Sequence, residues 1–202
     1  MKLISTPRTE VVRGLSTEFL HNYGRGRTIL AVDGSDGAGR EAFADDLAAV
    51  MEEQGHPVVR ASLRDFRLPR AEQAHFGEDT EERRYRHGYD YAALRRVLVE
   101  PFRMGAGAGF VTRHFDADRD AWIEPAWRTA PQDATLILDG EFINRAGLRD
   151  LWYWSVLVEG TPDTETEADR LYRAEENPSG RVAVVMDNSD PEYPRRRFFD
   201  SC

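Results

Sequence analysis

The sequence predicts an α/β fold in three layers, a central parallel sheet covered by helices on both faces. Three observations carry the prediction. Short, continuous apolar runs alternate with amphipathic stretches, the pattern of strands buried on both faces and joined by crossover helices. Two of the runs, TILAVD at 28–33 and ATLILD at 134–139, have the length of strands rather than of helices. A glycine-rich turn follows the first run and opens into a helical pattern, the arrangement of a βαβ unit.

The elements follow in order. Residues 9–23 place Val11, Val12, Leu15, Phe19 and Tyr23 at helical spacing, and Gly24 stops the run. Thr28 to Asp33 is a buried strand. Arg40 to Gln54 is a helix with Phe43, Leu47, Val50 and Met51 on one face and Gly55 as its stop. Pro57 to Ser62 is a second strand. Residues 63–88 are highly charged and are expected to be partly irregular. Tyr91 to Met104 is a helix around Leu94, Val97 and Leu98, and Phe110 to Phe115 is a strand. Ala134 to Asp139 is a strongly buried strand. Arg145 to Leu151 is a short helix, Trp154 to Val158 a strand, Thr164 to Glu176 a polar helix, and Arg181 to Met186 the last strand. The chain has 202 residues and no internal repeat, so one domain, 1–202, is expected. It starts with a helical segment, 1–26, and ends in an irregular tail, 188–202.

Composition narrows the function. Hydrophobic residues make up 41%, ordinary for a soluble globular protein. The net charge of -9 argues against nucleic acid or an anionic membrane as the main partner, since both select a basic footprint. The N-terminus lacks the apolar core of a signal peptide, and no apolar run is long enough to span a bilayer; a cytoplasmic protein is expected. Cys202 is the single cysteine, so no internal disulfide is expected. The five histidines have no metal-ligand spacing, and no metal site is expected from them. Lys2 is the single lysine among 27 basic residues, so some exchange of lysine for arginine is compositional.

The turn Gly34-Ser35-Asp36-Gly37-Ala38-Gly39 is the clearest motif. A glycine-rich loop between strand and helix presents backbone N–H groups to an anion, and the helix dipole adds to the attraction. Gly34 and Gly39 have the separation of G-x-x-x-x-G-K-[ST], but Arg40 stands at the lysine and Glu41 at the hydroxyl position. Arg40 can donate to phosphate, although its fork does not replace a compact ammonium. Glu41 puts negative charge where phosphate belongs. It either ligates Mg²⁺ or stabilises the helix N-terminus. The glycine spacing is not the dinucleotide G-x-G-x-x-G. A calcium loop counted from Asp33 would need glutamate at Ala44.

Five segments together resemble the uridine kinase and phosphoribulokinase group of P-loop kinases, and more narrowly its bacterial uridine kinase-like branch. They are VDGSDGAGR, VVRASLRDFRLPR, RRYRHGYDYAALRRVLVEPFR, LILDGEFINRAGLRDLW and RLYRAEENPSGRVAVVMDNSDPEYP. The resemblance runs from about residue 27 to 194 and implies a P-loop NTPase-type sheet, with ATP and Mg²⁺ as cofactors. It implies nucleotide contacts at Gly34, Ser35, Asp36, Gly37, Ala38, Gly39, Arg40 and Glu41. It implies substrate contacts around Phe66, His114 and Asp116, and from Arg83 beside Tyr85. Arginines 83, 84 and 86 also read as a solvated charge run.

The matched positions depart from the family's chemistry. The aspartate that takes the substrate's proton falls on Arg64, which cannot act as a base at neutral pH. Asp65, Phe66 and the second acidic position, Asp139, match. The arginine-rich lid is reduced to GTPDTETEAD, 160–169, which cannot stabilise charge on a transferred phosphoryl group. Tyr153 replaces a frequent aspartate. Glu41, Arg64 and Asp139 are expected to meet as a charge network that fills the site.

These residues support three readings. The first is a degenerate kinase homologue, inactive or poor in phosphotransfer, that binds a small-molecule ligand or a protein partner. On it ATP and Mg²⁺ are not required, and self-association is what the resemblance implies. The second is an active ATP-dependent nucleoside or small-molecule kinase, with Asp65 as base and Glu41 or Asp139 on Mg²⁺. The third is a repurposed enzyme using Glu41, Asp65 or Asp139 as acid or base on a non-nucleotide substrate.

Overall fold

The apolar runs become strands in a computed structural model that describes residues 2–105, 107–161 and 165–198. The strands are β1 (Thr28–Asp33), β2 (Val58–Ser62), β3 (Phe115–Asp116), β4 (Ala121–Trp122), β5 (Thr135–Gly140), β6 (Trp154–Glu159), β7 (Val184–Asp187) and β8 (Arg195–Arg197). Six form one sheet in the order β2-β5-β1-β6-β7-β8; β3 and β4 pair separately. The first five strands of the sheet are parallel and β8 is antiparallel to β7. Register is set from Thr28 opposite Thr135 to Asp33 opposite Gly140.

Both faces of the central strands are buried, which is why their sequences are apolar without alternation. Leu30 and Val32 face α1 (Pro7–Tyr23) and α2 (Arg40–Glu53), against Phe19, Phe43, Leu47 and Met51. Ile29 and Ala31 face the opposite layer, with Leu98, Phe102, Phe142 and Tyr172. That layer includes α3 (Arg70–Gln73), α4 (Glu81–His87), α5 (Tyr91–Ala93), α6 (Glu100–Arg103) and α7 (Glu167–Glu176). Each fully buried Leu or Phe contributes about 1.5–3 kcal/mol of transfer free energy. No helix among the described residues is long and apolar enough to cross a membrane.

Several expectations are corrected. The helix at 91–104 contains a π-helical stretch, Leu94–Val99, between α5 and α6. Pro101 supplies no N–H for the carbonyl of Val97, and the N–H of Val111 takes that acceptor at 2.8 Å. The same contact helps explain why Phe110 to Phe115 is not a strand. Phe110 forms an isolated bridge to Arg128, and pairing begins only at Phe115. Arg145 to Leu151 is a turn with a short 3₁₀ segment, Arg149–Leu151; Gly147 sits mid-run, and the Ala146 N–H bonds Glu176 instead of a helical carbonyl. The tail is not wholly irregular, since β8 adds to the sheet edge. Residues 162–164 of the reduced lid, and Cys202, lie outside the described residues.

Candidate functional site

The glycine-rich loop leaves β1 at Asp33 and is clamped from two sides. Gly34 has φ +152°, and a Cβ there would stand 2.6 Å from the Val158 carbonyl oxygen on β6. Gly160 follows β6, and a Cβ there would come within 2.9 Å of the Ala38 Cα. Buried Asn188, after β7, donates from Nδ2 to the Ala38 carbonyl at 2.7 Å.

Arg40, the first residue of α2, is 6% exposed. Its Nη1 donates to the Gly34 carbonyl at 3.2 Å, and its Nη2 pairs with Asp36 at 2.7 Å. Its Nε lies 3.7 Å from Asp139 and is buried without a hydrogen-bond partner. The guanidinium therefore ties the start of the loop to its own aspartate. Glu41 is exposed and shares the shallow mouth of the loop with Asp36, Arg40 and Asp45.

Behind the loop, β5 and the residue just past its end supply two buried acids. Asp139 lies opposite Ser62 in the β2–β5 register. Ser62 Oγ donates to its Oδ2 at 3.0 Å, and Arg60 Nη2 pairs with its Oδ1 at 3.0 Å. Arg60 and Ser62 reach it together because i and i+2 share a strand face. Glu141 follows β5, where Arg84 Nη1 reaches both of its oxygens, at 2.9 and 3.0 Å, and the Tyr89 hydroxyl donates at 2.9 Å. Burial raises its carboxyl above the usual range. Asp33 is fully buried and accepts from the Gly34 N–H at 2.8 Å, from Asn144 Nδ2 at 2.9 Å and from the Tyr172 hydroxyl. Burial raises Asp33 also.

The expected charge network does not form. Arg64 is exposed and pairs with Asp118, while Glu41 pairs with neither Arg64 nor Asp139. The buried acids behind the loop, Asp139 and Glu141, pair instead with Arg60 and Arg84, and Asp139 lies 3.7 Å from Arg40. The reason is reach: Arg40 and Arg60 project from the elements flanking Asp139, whereas Arg64 lies past the end of β2 in a turn.

On the side that the resemblance assigns to substrate, a hairpin folds over that turn. Half-buried Asp65 accepts from Arg113 Nε at 3.1 Å, and its carbonyl accepts from the His114 N–H at 3.1 Å. Burial raises the Asp65 carboxyl. Phe66 is core and stacks on His114, with centroids 6.3 Å apart; Trp122 meets the other side of His114 at 5.0 Å. Asp116 caps the β3–β4 turn, and the N–H groups of Arg119 and Asp118 hold it below the usual carboxylate range. Arg64, Asp65, Phe66, His114 and Asp116 are thus brought to one place. Arg83 and Tyr85 make their contacts elsewhere. Arg83 bonds Gly77 and Asp79 near the start of α4, and the buried Tyr85 donates to Glu175 on α7.

The sequence reading missed Glu141, Arg60, Asn144, Tyr172 and Asn188. Glu141 carried one signal, an acid directly after a buried strand beside a glycine. No described group of three or more His, Cys, Asp or Glu residues could hold a metal ion.

No family model matches the sequence, and no curated protein matches it. Solved structures do. A possible uridine kinase from Bacillus stearothermophilus matches with a TM-score of 0.73 at 22% identity, over 88% of this chain and 98% of the other. A protein of Silicibacter sp. TM1040 named for a fructose transport system kinase matches with a TM-score of 0.64 at 19% identity, over 92% and 86%. The YGR205w protein matches with a TM-score of 0.55 at 12% identity, over 98% and 100%. At these identities the likeness is one of fold, and the fold is that of P-loop kinases.

Proposed function

We propose that this protein has the uridine kinase-like P-loop fold without efficient phosphoryl transfer, and that it acts by binding a small-molecule ligand or a protein partner. One observation carries the reading: the Arg40 guanidinium is buried and bonded to Gly34 and Asp36 of its own loop. In a working loop the cation at this position reaches the β- and γ-phosphates. A triphosphate here would have to displace both contacts, and it would face Asp36, Glu41 and Asp45 at the mouth. The Arg60 guanidinium already pairs with Asp139 at 3.0 Å, so a Mg²⁺ ion there would meet a positive charge on its own carboxylate. The residues present do not fit Mg²⁺–ATP.

A second reading, an active kinase with Asp65 as base, draws on the burial of that carboxylate, which raises its pKa toward the range a general base uses. Asp65→Asn tests it, since unchanged turnover removes the base. The first reading is tested by calorimetric titration of nucleotide-free protein with ATP, with and without Mg²⁺. The expected result is no Mg²⁺-dependent heat well above micromolar concentrations. Mg²⁺-dependent micromolar binding with turnover of uridine or cytidine would overturn it.

A further inference from the structure

Arginines neutralise the buried acids Asp139, Glu141 and Glu159, but two other arginines face one cleft with no acid of their own. Arg95, in the π-helical stretch, donates from Nη2 to the Gly147 carbonyl. Arg145, in the turn after β5, donates from Nη1 to the Tyr85 carbonyl at 2.9 Å and to the Tyr91 hydroxyl at 3.2 Å. Neither guanidinium forms an ion pair with a described carboxylate. A guanidinium has five N–H donors, so each keeps donors that no described atom accepts. Both side chains are half-buried, yet none of their unbonded nitrogens is enclosed. Those donors therefore open onto the cleft that both residues line.

The cleft has a volume of about 480 Å³ and lies between the end of α4, Tyr91 on α5, Arg95, the 145–148 turn and Glu176 at the end of α7. It shares no residue with the mouth of the glycine-rich loop. Arg145 lies over two rings, its guanidinium 4.9 Å from the Tyr85 centroid and 5.3 Å from that of Tyr91. Its fork is thus positioned before a ligand arrives, which lowers the ordering cost of binding. Two neutral donors join it. The Tyr91 oxygen accepts from Arg145, and its own proton bonds no described acceptor. The Gly147 N–H likewise bonds no described carbonyl. The nearby acids already hold cations: Glu176 pairs with Arg149, and Arg86 on the wall pairs with Glu82 and Glu175.

The chemistry selects the occupant. Positive charge without a counter-ion excludes a cation, and an apolar ligand would cover the free donors without bonding them, which is costly. An oxyanion fits. Arginine forks bind carboxylate and phosphate through two parallel N–H bonds, and two forks match a ligand with two negative charges. The chain's net charge of -9 does not bar it, because at 0.15 M salt charges beyond about 8 Å are largely screened. The volume is that of a small-molecule site, roughly 300–1,000 Å³.

We propose that this cleft binds a small dianion, carrying carboxylate or phosphate groups, through Arg95 and Arg145. The inference goes beyond the reading of the glycine-rich loop and does not depend on it.

The test is an NMR titration of the full chain at pH 7 with succinate, inorganic phosphate and succinamide. Succinamide has the size of succinate without its charge. The expected result is a saturable shift of the Gly147 amide with succinate or phosphate, and binding of succinamide at least tenfold weaker. Tighter succinate marks a dicarboxylate site, and tighter phosphate marks a site for phosphate or its esters. Arg95→Gln and Arg145→Gln should each weaken the anion at least tenfold. Arg96→Gln removes the same charge from an exposed arginine outside the cleft and should leave the affinity within about twofold. If Arg145→Gln fails to fold, because its guanidinium also tethers Tyr85, the Arg95 and Arg96 variants still decide. Binding of neither anion, succinamide as tight as succinate, or an equal loss in Arg96→Gln would overturn the proposal. Mg²⁺-dependent ATP binding would sink the reading of the loop, whereas failure of both anions sinks only this cleft.

Discussion

Arg84→Met gives a stability change whose size and pH dependence both follow from the geometry. Glu141 is 3% exposed. Arg84 contacts both of its oxygens and also bonds Glu81 and the Thr166 cap. Methionine keeps part of the stem that packs near the Phe142 ring but removes the charge. Breaking a buried pair from one side costs about 3–5 kcal/mol. Protonation sets a ceiling on the electrostatic part. An unfolded glutamate has a pKa of about 4.3, so forcing its proton on at pH 7 costs about 3.7 kcal/mol, and at pH 5 only about 1 kcal/mol. The sign is fixed by linkage. Without Arg84 the folded pKa of Glu141 rises further above its unfolded value. Its stabilising contribution is then intact at low pH and is lost as pH rises through the folded pKa. The expected loss is about 3–4 kcal/mol at pH 7, which lowers Tm by about 6–16 °C for a chain of this size, and clearly less at pH 5. Urea unfolding followed by circular dichroism at both pH values measures it. Adding Glu141→Gln should recover most of the loss at pH 7. A loss under about 1 kcal/mol at pH 7, or one that does not shrink at pH 5, would refute the reasoning.

Two further substitutions bracket that result. Arg64→Ala breaks an ion pair whose side chains are 50% and 74% exposed, so urea midpoints should shift by no more than about 0.5 kcal/mol; a larger loss would mean that the hairpin depends on it. Gly160→Ala pushes a Cβ to 2.9 Å from the Ala38 backbone, and the overpacking should cost about 1–3 kcal/mol in the same assay. An unchanged midpoint would show that the loop yields freely.

What could be read in advance divides along a physical line. β1, β5 and β6 were legible because burial on both faces demands apolar residues at every position, and that demand is local. The π-stretch at 94–99 was hidden because the partner of its Val97 carbonyl, the Val111 N–H, comes from a chain reversal beyond the helix. β8 was hidden because three arginines at a sheet edge carry no strand pattern, although edges favour charge. At the site, the loop and the substitutions at Arg40, Glu41 and Arg64 were visible as motif departures. Their partners were not. Arg84 meets Glu141 across 57 residues of chain and Arg60 meets Asp139 across 79. In the sequence Arg84 sits in what looks like a solvated charge run. Pairing of that kind is set by strand order and register, which no single segment encodes.

On the proposed reading, the glycines of the loop stay for a reason that is separate from phosphate. A phosphate cradle needs glycine so that backbone can approach an anion. Here Gly34 is also required by the Val158 carbonyl, and Gly160 by Ala38. Both are demands of packing between β1, β6 and the start of α2. A chain that stops binding phosphate is released from selecting lysine at 40, a hydroxyl at 41 and aspartate at 64, because those side chains act on the ligand. It is not released from the glycines, because they act on the sheet. The pattern G-x-x-x-x-G with Arg-Glu behind it is therefore what the proposed reading expects of a fold that keeps its backbone and changes its chemistry. A glycine signature alone reports architecture; the side chains around it must report the activity.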